Sequence, residues 1–320
     1  MNQRVAAIDC GTNSLRLLIA DVDPVQHLLR DVERRMEIVR LGQGVDATGQ
    51  LAPAALGRTF RVLAEYGEQI AAEKAAAVRM VATSATRDAS NADEFARGVH
   101  EILHVWPEVI SGSEEARLSF TGATAELAAN GADASHPQPP YLVVDIGGGS
   151  TEFVVGTDVG AGLEAISVDI GCVRLTERHL HSDPPTDAEL KAARADIDRA
   201  LDAVAAAVPA ASARTLVGLA GSVTTVTAIG LGLQVYDPQL THHARLSAEQ
   251  VRRVTNQLLE QSHDERAQIG ALHPGRVDVI GAGALILDRL MERFGFDEVV
   301  TSEHDILDGI AWSIAGHGSN

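Results

Sequence analysis

A chain of 320 residues, 45% of them hydrophobic, is long enough for one large or two ordinary domains, each able to bury its own core. Its 26 basic and 44 acidic residues leave a formal net charge of −18, which excludes an overall positive field for nucleic acid or for an anionic membrane surface. Cys10 and Cys172 are too few for a disulfide framework or an all-cysteine zinc site, and they read as reduced thiols. The apolar stretches, such as 277–287, are interrupted or too short for a bilayer and no signal-peptide core opens the chain, so a cytoplasmic location is expected. Lys74 and Lys191 both lie in Ala/Glu-rich helical sequence and neither follows a glycine loop, which argues against a P-loop and a Schiff-base lysine.

In chain order, an apolar run ends in Asp9-Cys-Gly11-Thr12-Asn13-Ser14 and continues into a β-rich run over 15–20, which predicts strand, tight turn and strand. A third strand is expected near 37–41, a helix over 53–74, a strand over 78–82, a helix over 91–103, and residues 109–110 leading into a helix from 113. Residues 130–140 are rich in Gly, Ser and Pro without apolar periodicity, as suits an interdomain link. The opening pattern then returns: Asp145-Ile-Gly147-Gly148-Gly149-Ser150 repeats the Asp, Gly and Ser of the first turn at a constant offset of 136 residues. Strands over 141–146, 151–155 and 165–169, a helix over 186–208, a strand over 215–217 and a helix from 221 follow the first half's order. Helical segments over 247–261 and 283–294 and a terminal helix from 302 complete the chain. The class is α/β, in two related domains, 1–129 plus 302–320 and 130–301, with the binding site expected in the cleft between them.

Glycine turns at strand ends let backbone N–H groups converge on an oxyanion, so two such tips suggest a polyphosphorylated ligand. Asp9 and Asp145, each at the end of a buried strand, call for a cation, a hydrogen-bond donor or a metal-bound water. A single Asp-Gly would more often just close a hairpin; two matched copies favour a role. Glu114 and Glu115 in the first turn of a helix are also ordinary partners of the helix dipole, and Arg87 beside Asp88 also fits an exposed capping loop. Gly221 and Ser222 mark a strand running into a helix N-terminus, either an anion site or an entry capped by Ser222. His242-His243 with His263-Asp264 lacks the remaining ligands of a histidine–aspartate metal site, His181 and His304 sit in loop and helix-cap contexts, and Arg276-Val-Asp278 reads as a turn.

The blocks Ile8–Ser14, Val81–Asn91, Ile110–Arg117, Val144–Glu152 and Gly218–Thr225, in this order, resemble the exopolyphosphatase and guanosine pentaphosphate phosphatase (Ppx/GppA) family of the actin-like ATPase superfamily. The closing run from Val300 to Gly309 resembles a short, actinobacterial-type member. The resemblance implies two actin-like (ribonuclease H-like) domains with an interdomain active-site cleft, and hydrolysis of terminal phosphate from inorganic polyphosphate. Guanosine pentaphosphate is the alternative substrate. It further implies Glu115 as the general base, Arg87 as a phosphate ligand, Asp145, Glu152 and Asp9 around Mg²⁺ or Mn²⁺, and Gly11 to Ser14 with Gly147 to Ser150, Gly221 and Ser222 around the phosphates. Family members are often homodimers. An actin-like-fold kinase and a noncatalytic polyphosphate or alarmone sensor are the competing expectations.

Overall fold

The computed structural model describes residues 3–125, 127, 136–158 and 162–317. The chain divides into two units, residues 1–122 with 306–320, and residues 123–305. In the first, β1 (Gln3–Cys10), β2 (Ser14–Asp23), β3 (Leu28–Ile38), β4 (Ala77–Ala82) and β5 (Glu108–Val109) form a five-stranded sheet in the order β3-β2-β1-β4-β5. The first three strands are antiparallel, whereas β4 and β5 run parallel to β1.

Side chains alternate across a strand, so each face of β1 and β2 has its own cover. Ala6, Ile8 and Cys10 with Leu15, Leu17 and Ile19 pack with the helices Pro53–Glu73 and Ala92–Leu103. Val5, Ala7, Leu18 and Ala20 pack with the helices Gly112–Thr124 and Ile306–His317. Asp9 and Arg16, paired in register, continue this second row. The strands thus deliver both to the face covered by the helix that carries Glu115.

In the second unit, β6 (Tyr141–Ile146), β7 (Thr151–Gly156), β8 (Glu164–Val168), β9 (Thr215–Leu219), β10 (Arg245–Ser247) and β11 (Glu298–Thr301) form a sheet ordered β10-β11-β9-β6-β7-β8. Read from β8, the run β8-β7-β6-β9-β11 repeats the first sheet's order and strand directions, and β10 adds an antiparallel edge. One face, with Leu142, Val144 and Phe153, packs on Ile197 and Leu201 of the helix Asp187–Ala207 and Leu285 of the helix Ile280–Phe294. Asp145 and Glu152 belong to the other face.

Several elements differ from expectation. β3 starts at Leu28 and not near 37, because it is a sheet edge whose half-exposed positions carry charged residues and mask the apolar alternation. The helix Cys172–His179 and the short strands β10 and β11 were not expected. The last helix begins at Ile306, since residues 298–301 pair in β11 and the Ser302 N–H donates to the Gly218 carbonyl at 3.0 Å. The first unit accordingly stops at 122 and resumes at 306, in place of 129 and 302. Of the expected link, residues 130–135 lie outside the described residues. Among the described residues no helix is long and apolar enough to cross a membrane.

Candidate active site

The two glycine turns are closed by the same hydrogen bond. Gly11 N–H donates to Ser14 O at 3.0 Å, and Gly147 N–H donates to Ser150 O at 3.0 Å. The first turn is anchored by its carbonyls: Asn13 O accepts from Val39 and Arg40 N–H at 3.0 and 2.8 Å, and Thr12 O accepts from Gly42 N–H at 2.8 Å. The Thr12 hydroxyl lies 2.8 Å from that of Ser84, which ties this turn to the segment after β4 that leads to Arg87.

In the second turn the anchor is a helix start. Cys172 N–H donates to Gly147 O at 3.0 Å, and Val173 and Arg174 N–H donate to Gly148 O at 2.9 and 3.1 Å. In a trans peptide the C=O and the following N–H point in opposite directions. With the carbonyls of Gly147 and Gly148 fixed toward the helix, the amides of Gly148 and Gly149 point away from it, as an anion receptor requires. Gly171 permits this approach, for a Cβ there would lie 2.4 Å from Gly148 O. Gly171→Ala is expected to cost about 1–3 kcal/mol in stability and to weaken anion binding by displacing those amides. Urea unfolding and equilibrium binding check both.

Glu115 and its neighbour Glu114 are sorted by two arginines. Ser111 opens their helix, its hydroxyl accepting from Glu114 N–H at 3.2 Å. Glu114 then meets Arg79 at 2.9 Å and stays half exposed. Glu115, only 8% exposed, meets Arg87 Nη1 at 3.2 Å, and the same nitrogen donates to Ile110 O at 2.9 Å. Arg87 ends the helical turn Ser84–Arg87 and its guanidinium is only partly buried, leaving donors for an incoming anion.

The two strand-end aspartates differ in partner. Asp9 Oδ2 accepts from Arg16 Nε and Nη2 at 3.0 and 2.7 Å, so a guanidinium already supplies the counter-charge expected from a metal. Asp145 stands in register with Glu152, and both are buried. Arg16 and Glu152 occupy equivalent places in the repeat, so one copy holds an acid–base pair and the other two carboxylates. Paired carboxylate oxygens suit a hard divalent cation. Among the described residues no group of three or more His, Cys, Asp and Glu side chains is arranged to hold a metal ion. A cation at Asp145 and Glu152 would therefore complete its shell with water and substrate oxygens, which is the habit of Mg²⁺.

Gly221 and Ser222 lie in the first turn of the helix Ala220–Gly230, whose N-cap, Leu219, makes no side-chain cap. Ser222 is thus not the cap. Ala220 carries a left-handed φ of 65°, a strained start. The Arg276 guanidinium lies against Gly221, Nη1 at 3.5 Å from its carbonyl and from the Thr225 hydroxyl. Sequence reading missed Arg16, whose signal was its place in the repeat; it took Arg276 as part of a turn, which the turn Pro274–Arg276 bears out, but not its contact with Gly221, for which there was no local signal.

The remaining candidates are explained locally. The His242 ring stacks on His243 at 3.8 Å and lies 4.7 Å from His304, while His263 Nε2 meets Asp278 at 3.1 Å. The His181 N–H caps onto Glu189 at 3.0 Å. Both cysteines are free and buried, and burial pushes each thiol above its ordinary value, so neither is a poised nucleophile.

A family model described as the Ppx/GppA phosphatase family matches residues 18–317. The chain belongs to that family. A Ppx/GppA relative, Exopolyphosphatase 2 of Mycobacterium tuberculosis, is 48% identical, over 98% of this chain and 99% of its own length. The guanosine-5'-triphosphate,3'-diphosphate pyrophosphatase of Aeromonas hydrophila is 30% identical, over 98% of this chain and 59% of its own length. A crystal structure of an exopolyphosphatase-like protein matches with a TM-score of 0.92 at 43% identity, covering 98% of both chains. The fold is the two-domain, actin-like α/β architecture of the Ppx/GppA phosphatases.

Proposed function

We propose that this chain is a cytoplasmic exopolyphosphatase that removes the terminal phosphate of inorganic polyphosphate. The observation that carries the mechanism is the pairing of the buried Glu115 carboxylate with Arg87 at 3.2 Å. A water oxygen attacks the terminal phosphorus, its proton passes to Glu115, and the bridging P–O bond breaks to give orthophosphate and a chain one unit shorter. The Arg87 guanidinium, held by Ile110 O, and the amides of Gly148 and Gly149, held by the start of the helix Cys172–His179, are each oriented within their own unit to receive nonbridging oxygens. The Gly11 to Ser14 turn and the start of the helix at Gly221 and Ser222 offer further donors to the phosphate chain.

Asp145 and Glu152 would hold the divalent cation, Mg²⁺ before Mn²⁺, whose chemistry when bound is neutralisation of phosphate charge. Asp9 acts differently from its counterpart Asp145: its ion pair keeps the Arg16 guanidinium fixed at the strand end. Polyphosphate is favoured over guanosine pentaphosphate because the relative that bears the exopolyphosphatase name is 48% identical to this chain and the guanosine-phosphate relative 30%. Phosphate release from defined polyphosphates and from guanosine pentaphosphate tests this, with a higher kcat/KM expected for a polyphosphate. Preference for the nucleotide would reverse the assignment, and binding of either without release would make the chain a sensor.

A further inference from the structure

The paired strands set up a comparison across three strands in each unit. In the first, the row runs Asp9 on β1, Arg16 on β2 and Met36 on β3. In the second, the equivalent row runs Asp145 on β6, Glu152 on β7 and Ser167 on β8. Where the middle residue is an arginine clasping its aspartate, the third place is apolar. Where the middle residue is a glutamate, the third place carries a hydroxyl, and Ser167 Oγ donates to Glu152 Oε1 at 2.7 Å.

We propose that Ser167 is a positioning residue for the cation-binding carboxylates, acting through Glu152. This rests on the assignment of Asp145 and Glu152 as cation ligands. Glu152 is only 1% exposed and faces Asp145 directly across the strand pair, so its carboxylate must hold one rotation for both side chains to offer oxygen to a single ion. A short O–H···O bond from the opposite neighbour, with the hydroxyl as donor, fixes that rotation. Ser167 is well suited to this: its strand is the sheet edge, and its short side chain has few rotamers, so the donor costs little entropy to hold. Outer hydrogen bonds of this kind set metal affinity without touching the metal.

The test is Mn²⁺ titrated into the full-length protein and followed by electron paramagnetic resonance, with no substrate present. Ser167→Ala is expected to raise the Mn²⁺ Kd by about 10–100-fold, and Ser167→Thr, which keeps the hydroxyl, by no more than about threefold. The Mg²⁺ concentration for half-maximal phosphate release should rise in step, with kcat at saturating Mg²⁺ close to that of the parent. Wild-type affinity in Ser167→Ala, alongside lost binding in Asp145→Asn, would overturn the role of Ser167 alone. Equal weakening in the Ala and Thr variants would overturn the hydroxyl's part. Undiminished Mn²⁺ binding by Asp145→Asn would instead overturn the underlying assignment of the carboxylates.

Discussion

Glu115→Gln should lower the rate of phosphate release by about 10²–10⁴-fold, the usual contribution of a general base, while polyphosphate binding persists. Gln matches Glu in shape and keeps an oxygen that can accept from Arg87 Nη1, so the helix start, with Ser111 holding Glu114 N–H, has no reason to rearrange. What is lost is the site for the proton of the attacking water. The loss should therefore fall on kcat and leave KM nearly unchanged, which is the signature of an interaction made only in the transition state. Single-turnover release and equilibrium binding of the same polyphosphate separate the two. Turnover within about threefold of the parent would remove Glu115 from the chemistry. Glu114→Gln supplies the control: Glu114 is half exposed and bound by Arg79, itself held by Glu108 and Ser313, so its replacement should leave the rate near the parent value.

The residues that sequence reading located share one property, which is that their chemistry is encoded within a few neighbours. The Asp-x-Gly-x-x-Ser turns were legible because strand, turn and strand lie in one short window, and their repetition at a fixed offset excluded accident. The helix over 187–207 was legible because Thr186 and Glu189 close a capping box around an apolar stripe. The ion pair of Asp9 with Arg16 was within reach of the same window: cross-strand register sets the residue five after the turn's glycine opposite the aspartate before it, and the repeat makes the other copy Glu152. What could not be read is packing between distant segments. Arg276 reaches Gly221 across 55 residues, Ser167 reaches Glu152 across 15, and β11 pairs with β9, a strand far earlier in the chain. The helix Cys172–His179 escaped because it is short, its start being specified by the loop carbonyls it caps and not by a capping residue of its own.

Arg34→Ala should destabilise the first unit by about 3 kcal/mol, toward the lower end for breaking a buried ion pair because the guanidinium remains 31% exposed. Asp308, with its side chain only 2% exposed, meets Arg34 Nη2 at 2.6 Å, and Asp31 holds the other edge of the guanidinium at 2.7 Å. Both carboxylates raise the Arg34 pKa despite burial, so the arginine is charged at any working pH and its removal leaves the Asp308 carboxylate in a site shaped for a cation. The position matters because the next residue, Gly309, packs on the backbone of the helix Gly112–Thr124: a Cβ there would lie 2.0 Å from Leu118 O. Leu118 is about one helical turn beyond Glu115, so the ion pair that seats the helix Ile306–His317 also fixes the height of the helix carrying Glu115. Activity should then fall at urea concentrations below the unfolding transition of the second unit, and hydrogen exchange should quicken over 306–317 and 112–124 before it does over 187–207. Asp308→Asn in the Arg34→Ala background should recover part of the loss, since a neutral amide costs less to bury than a carboxylate. An unchanged urea midpoint in Arg34→Ala would show that the Ile306–His317 helix is held by its apolar face alone.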